Sequence, residues 1–225
     1  MSADIHTKAL VLRRTNFGES DRILSLLTEQ GVVHVLAHSA RKEKSKLAGG
    51  IEMFCVSDVI FHYNKNNPMG ILTSAKMLKY YQNILADLSR LELASFIVKQ
   101  TSRVAEADSG PAYFSIMNQC FAGIDNGYDL GLVESWFLFN LAKASGEQVN
   151  LLYDASGHKL QPNQTYVWDI TENSLRSDPH GNISSIEIKL MRLMLSANLE
   201  LIYHVQDLLP HIPPVLHVAK SVNKL

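Results

Sequence analysis

Residues 22–46 read RILSLLTEQGVVHVLAHSARKEKSK, and this stretch decides the fold. Arg22 to Thr28 is a short apolar run closed by Glu29, Gln30 and Gly31, and Val32 to Ala40 is a second run, β-branched and apolar. Two such runs joined by a short turn containing glycine predict an antiparallel hairpin. The second run passes straight into Arg41-Lys42-Glu43-Lys44-Ser45-Lys46, four cations in six residues, just before the pair Gly49-Gly50. An isolated basic run reads as a solvated loop. A strand that delivers one suggests a scaffold that presents positive charge to an anion.

Upstream, Lys8 to Arg14 is another β-compatible run, followed by turn formers from Asn16 to Asp21 around Gly18. The three runs read as an antiparallel meander. Downstream, Ile51 to Tyr63 predicts a fourth strand, Asn64 to Gly70 a turn, and Ile71 to Lys79 a fifth strand. Five short strands with one long connection, between the third and fourth, fit a small Greek-key barrel of the OB type. Spacing alone also admits an SH3-like barrel.

Near Tyr81 the apolar period changes. Ile84, Leu88, Leu91, Ser95 and Val98, with Leu85 and Phe96 at the edges, predict a long amphipathic helix over 83–107. Asp108 to Pro111 stops it, and a second helix is expected from Ala112 to about Ile124. Leu130 to Ser145 is so apolar that a helix buried on most sides is expected, with Gly146 as its stop. Tyr166 to Ile170 and Asn173 to Arg176 read as a small hairpin. Ser184 to Asn198 is helical, with Ile186, Leu190, Leu193 and Met194 on one face, and the tail reads as two short helices divided by Pro210 and Pro213-Pro214. The fold class is therefore α+β: a five-stranded barrel over 1–80, then a helical domain over 81–225 with a hairpin insert around 151–180.

The 225 residues are 46% hydrophobic and 19% charged, as in ordinary globular proteins. The net charge of -1 conceals an asymmetry: residues 1–80 hold 11 Lys and Arg against 7 Asp and Glu, and residues 81–225 hold 10 against 15. The polar first seven residues lack the core of a signal peptide, and no apolar run approaches the roughly 20 residues of a membrane span. The two cysteines, Cys55 and Cys120, lack metal-type spacing; a disulfide between them is possible in principle, but a core of this size needs none, and a reducing cytoplasm is the simpler home.

Nothing points to catalysis. There is no Gly-rich phosphate loop, nucleophile elbow or metalloprotease His-Glu pair. His34 and His38 stand four apart, which on a strand is about 13 Å and too far for one ion. They are read as polar strand residues, and Glu19 with Asp21 as turn caps. Nonspecific nucleic-acid binding needs cations that track phosphates, often beside aromatic faces. Arg13, Arg14, Arg22, Arg41, Lys42, Lys44 and Lys46 supply the charge, with Lys76 and Lys79 on the last strand. Phe17, Phe61 and Tyr63 are the candidate stacking residues, Phe61 fitting the core better. Arg13 and Arg14 point to opposite faces of a regular strand.

Four short motifs occur in order: KALVLRR (8–14), FGESDR (17–22), TEQG (28–31) and AHSARKEKS (37–45). Together they resemble the N-terminal signature of the RecO family of DNA repair proteins. The resemblance is specific over residues 8–50, weakens through 51–110 and is architectural beyond. It implies an N-terminal OB fold, then a helical domain with a small zinc-binding insert, and no enzymatic turnover. It also implies binding of single- and double-stranded DNA, strand annealing, and help in loading RecA onto DNA coated by single-stranded DNA-binding protein, usually with RecR. The matching cations are Arg13, Arg22, Arg41, Lys42, Lys44 and Lys46, with Arg14 beside them.

One departure matters. Many members of that family carry a four-cysteine zinc site in the insert, whereas residues 151–176 contain no cysteine. His158 and His180 are too few and too scattered to replace it, so a metal-free hairpin is expected, with Val167 or Trp168 packed on the helical body. Trp168 as a partner-binding anchor is the alternative. The family also recognises the acidic, phenylalanine-ended tail of single-stranded DNA-binding protein, which needs an apolar pocket with a cation at its rim; Lys189 and Arg192 are conceivable rim residues. A protein interaction module that does not touch DNA is the other class of reading, and RNA binding a third.

Overall fold

The computed structural model describes residues 4–63, 69–106, 110–147 and 149–224. Most of the turn expected at 64–70, and the helix stop expected at Asp108 and Ser109, lie outside the described residues. The chain forms two compact units, Met1–Asp125 and Asn126–Leu225.

The first unit begins with β1 (Asp4–Phe17), β2 (Asp21–Thr28), β3 (Gly31–Ala37), β4 (Cys55–Tyr63) and β5 (Gly70–Tyr80). β1, β2 and β3 form the antiparallel meander that the sequence predicts. β1 also pairs with β4, β4 with β5, and β5 runs parallel to the end of β3, so the order β1-β2-β3-β5-β4 closes into a barrel. At the β2–β3 turn Gly31 has φ +129, a conformation that L side chains rarely adopt. Alternation sends Ala9, Val11, Leu24, Leu26, Val35, Val59, Phe61 and Leu72 into the interior. Phe61 is core, as expected.

A short 3-10 turn, Ala48–Ile51, crosses one end of the barrel and buries Gly50 and Ile51. A Cβ on Gly50 would lie 2.3 Å from the backbone oxygen of Ala75, while one on Gly49 would meet nothing within 4 Å. Gly50→Ala is therefore expected to destabilise the fold by about 1–3 kcal/mol, the usual range for forced overpacking. Gly49→Ala is the control that leaves the melting temperature unchanged, and equal melting of the two variants would refute the clash.

The outer face of β1 is apolar too, since Leu10 and Leu12 are buried. Helices α1 (Leu88–Ala105) and α2 (Ala112–Asp125) lie against it, so the first compact unit extends well past the change of period at Tyr81. Phe121 of α2 meets Phe54 and Tyr81 edge-on at 5.5 and 5.8 Å, and the Tyr81 hydroxyl donates to Asn118. The stripe expected on α1 is corrected. Leu93, Ala94, Ile97, Val98, Thr101 and Ala105 face inward, while Leu85 and Leu88 are exposed. Gln82–Ala86 is a 3-10 turn, and Asp87 caps a new helix by accepting from the Arg90 backbone N–H. A helical phase counted from Ile84 is lost across that break.

The second unit centres on α3 (Leu130–Ala144), buried on most sides as its composition predicts, with Trp136, Phe137 and Phe139 almost fully enclosed. It ends at Gly146, φ +83, where Gly146 and Glu147 donate to the carbonyls of Lys143 and Ala142 in a Schellman arrangement. The hairpin forms as β6 (Tyr166–Asp169) and β7 (Ser174–Ser177), held by buried Tyr166, Trp168 and Leu175. Next come α4 (Ser185–Ser196), α5 (Leu199–Tyr203) and α6 (Ile212–Val222). The last carbonyls of α4 have no partner within their own helix. Three side chains of α3 supply one each: Trp136 Nε1 to Ala197 at 2.9 Å, Asn140 to Met194 at 2.9 Å and Lys143 to Leu195 at 2.7 Å. Two expectations change in this unit. α4 buries Ile188, Leu190, Met191 and Met194 but exposes Ile186, and Pro213 opens α6 instead of dividing two helices.

The start of α4 carries a capping box, in which Ser184 Oγ accepts from the Ile186 N–H and Glu187 accepts from the Ser184 N–H. Glu187 is buried and also meets His211. Burial pushes its carboxyl up, but the hydrogen bonds of Ser184 and His211 outweigh this and hold it below its ordinary value of 4.5. A lowered carboxylate stabilises the fold fully above that ordinary value, and the effect is lost as pH falls through the folded value. Glu187→Gln, which retains the cap, is expected to flatten the decline of the urea midpoint between about pH 6 and about pH 3. Parallel acid limbs for variant and parent would contradict this assignment.

Candidate nucleic-acid interface

The basic loop is a built feature of the barrel end. After β3 the chain turns at Ser39, φ +53, and the Asp21 carboxylate takes the Ser39 backbone N–H at 2.7 Å and meets His38 Nδ1 at 2.8 Å. These two contacts, Ser39 first, hold the Asp21 carboxyl below the ordinary carboxylate range. The Arg41 N–H donates to the Ser20 carbonyl at 2.8 Å, and the Arg41 guanidinium to that of Gly18 at 3.2 Å. Ala40 is buried in the barrel core and Leu47 packs on it, so both roots of the loop are fixed. Between them the side chains of Arg41, Lys42, Lys44 and Lys46 are exposed, with Glu43 the one acid among them. The turn-cap reading of Asp21 and the strand reading of His34, which meets Ser25 across the hairpin, hold, whereas His38 lies past the end of β3 in the turn.

The other sequence candidates divide. Arg14 stands opposite Leu24 and Arg22 opposite Ala37, both on the interior-facing row where β1 and β2 reach the loop. Arg14 is committed there, donating to Glu52 at 2.7 Å and to the Ile51 carbonyl at 3.4 Å. Arg22 Nε is buried without an acceptor among the described residues. Phe17 lies at the end of β1 beside the same turn and is 51% exposed. Arg13 goes elsewhere. A bulge between Val11 and Arg13 leaves Leu12 and Arg13 together opposite Ser25, on the outer wall. There Arg13 shares a groove with Lys99 and Arg103 of α1, which the misplaced helical phase concealed. Lys76 and Lys79 are exposed on β5, Lys76 in register with Asp58 and Lys79 over the Tyr81 ring at 4.7 Å.

In the second unit a pocket of about 320 Å³ is walled by Ile186, Leu190, Leu193, Val205 and Leu208, with Lys189, His211, Gln206 and the acid Asp207 at its sides. Arg192 does not line it, because its guanidinium donates to the Leu151 carbonyl. Among the described residues no three His, Cys, Asp or Glu are grouped to hold a metal ion, and no helix is long and apolar enough to cross a membrane.

Residues 1–81 match the family described as Recombination protein O N terminal. Over 158 residues, 69% of this chain, it is 34% identical to DNA repair protein RecO of Dehalococcoides mccartyi strain CBDB1, and that match spans 62% of the relative. It is 28% identical over 203 residues to DNA repair protein RecO of Roseiflexus sp. strain RS-1, covering 87% of this chain and 71% of the relative. A third relative, DNA repair protein RecO of Staphylococcus haemolyticus, is 24% identical over 182 residues. The match thus spans less than two thirds of the length of the first of these relatives. By its N-terminal match and by these relatives, the chain belongs to the RecO family.

Proposed function

We propose that this protein is a DNA repair and recombination mediator without enzymatic turnover, acting on DNA at the basic end of an OB-type barrel. The observation that carries the reading is the fixed loop with Arg41, Lys42, Lys44 and Lys46 exposed and only Glu43 among them. Phosphates dock on these cations mainly by releasing counterions, so affinity is salt-dependent and nearly indifferent to sequence. Exposed Phe17 offers a face for an unpaired base. Cations that neutralise two complementary strands lower their repulsion, which speeds annealing. On this reading residues 1–80 are the DNA-binding module and residues 81–225, with the insert at 151–180, support it and contact partners.

The partners follow from the family: single- and double-stranded DNA, RecR, the tail of single-stranded DNA-binding protein, and RecA through loading onto coated DNA. The apolar pocket beside Lys189 supports the tail reading, because an acidic peptide ending in an aromatic residue needs such a wall and such a charge. A soluble life in the cytoplasm at the nucleoid is part of the same proposal.

The test is titration of fluorescent single-stranded DNA across a salt series, followed by an annealing assay. Steep salt dependence and faster annealing support the reading. A chain that fails to bind DNA at low salt is instead a protein interaction module.

A further inference from the structure

The outer-wall groove between β1 and α1 has a volume of about 390 Å³ and lies wholly within the first compact unit. Its apolar lining comes from Leu12 and Val98, and its charge from Arg13, Lys99 and Arg103 against Glu106. Lys99 and Arg103 are one turn apart on α1, and like charges in that relation repel. The bulged strand adds a third cation to the same groove. Among the described residues neither Arg13 nor Lys99 has an ion-pair partner, and Arg103 donates only to Gln100 at 3.3 Å. Ser95 and Ser102 also border the groove, and hydroxyls serve as donors to phosphate oxygens. Three cations against the single acid Glu106, with hydroxyls beside them, give the groove a net positive charge that suits a polyanion whose charges are evenly spaced.

We infer that this groove is a second track for the phosphodiester backbone of DNA, distinct from the loop at the barrel end. The inference rests on the DNA-binding reading of the barrel. The bulge supplies the separation: it sends Arg13 to the outer wall, while Arg14 stays on the interior-facing row with Glu52. One strand occupies the loop and another the groove, so the protein holds two strands at once, as annealing requires.

The test is Lys99→Ala with Arg103→Ala, on an exposed helical surface where alanine favours the fold. Binding of fluorescent oligo-dT is followed across salt, in the parent and in a background with Arg41, Lys42, Lys44 and Lys46 changed to alanine. Each lost phosphate contact on a single strand removes about 0.7 from the salt slope, so in the background without the loop cations, where the groove is the remaining track, the double variant loses about 1.4. Lys99→Arg with Arg103→Lys keeps the parental slope, and thermal melting of all variants stays parental. An unchanged slope for the double variant in the background without the loop cations overturns the groove assignment while the loop reading stands. Displacement of a fluorescent polyglutamate peptide, with the DNA slope unchanged, overturns it in favour of an acidic protein partner. A parent that binds no DNA overturns both readings together.

Discussion

Changing Arg41, Lys42, Lys44 and Lys46 together to alanine is expected to lower the salt slope of single-stranded DNA binding by about 2.8, four contacts at about 0.7 each. Over a rise from about 50 to about 200 mM salt, that difference corresponds to roughly fiftyfold in affinity. The loop is suited to the experiment because backbone hydrogen bonds, buried Ala40 and partly buried Leu47 fix its path, and of the four side chains only that of Arg41 makes a hydrogen bond, an exposed one to the Gly18 carbonyl. Alanine therefore removes charge without unseating the barrel, and thermal melting is the control. Arg14→Ala is a useful contrast. Arg14 is engaged with Glu52 and the Ile51 carbonyl, so its removal changes stability more than salt slope. If the fourfold variant keeps the parental slope, the loop is not where phosphates dock.

The second large effect concerns the helical unit. Trp136 is 2% exposed, and its indole N–H satisfies the Ala197 carbonyl at the end of α4. Trp136→Ala opens a cavity and leaves that carbonyl without its donor, an expected loss of about 4 kcal/mol. For a unit of the size of Asn126–Leu225 its melting temperature then falls by roughly 20 °C. Trp136→Phe separates the two contributions, since it keeps most of the apolar volume but not the hydrogen bond, and about 1–2 kcal/mol is expected for it. Calorimetry of the full chain reads both. A Trp136→Ala protein that melts within about 2 °C of the parent would show that the site collapses without penalty.

The two experiments address different units of the chain, so they also test each other. The fourfold loop variant should leave the Trp136-dependent transition where it is. Trp136→Ala should leave the salt slope of DNA binding intact while the barrel unit remains folded.

Local pattern alone determined a good deal about this protein. Alternation from Lys8 to Lys79 specified five strands, because period two follows from the pleat whatever the neighbours do. The apolar density of Leu130 to Ser145 specified a buried helix, and Gly146 its end, because a left-handed residue after a helix favours glycine. The basic loop was visible for the same reason, as a run of charge with a strand before it. Which cations share a surface was set by the packing of distant segments. A one-residue bulge at Leu12 moved Arg13 to the outer wall, while Arg14, in register with Leu24, turned to Glu52. Likewise, the break at Asp87 reset the phase of α1, burying Ala94 and Ile97 and leaving Lys99 and Arg103 beside Arg13. Bulges and caps are set by the pairing and packing of distant segments, so no window along the chain contains them.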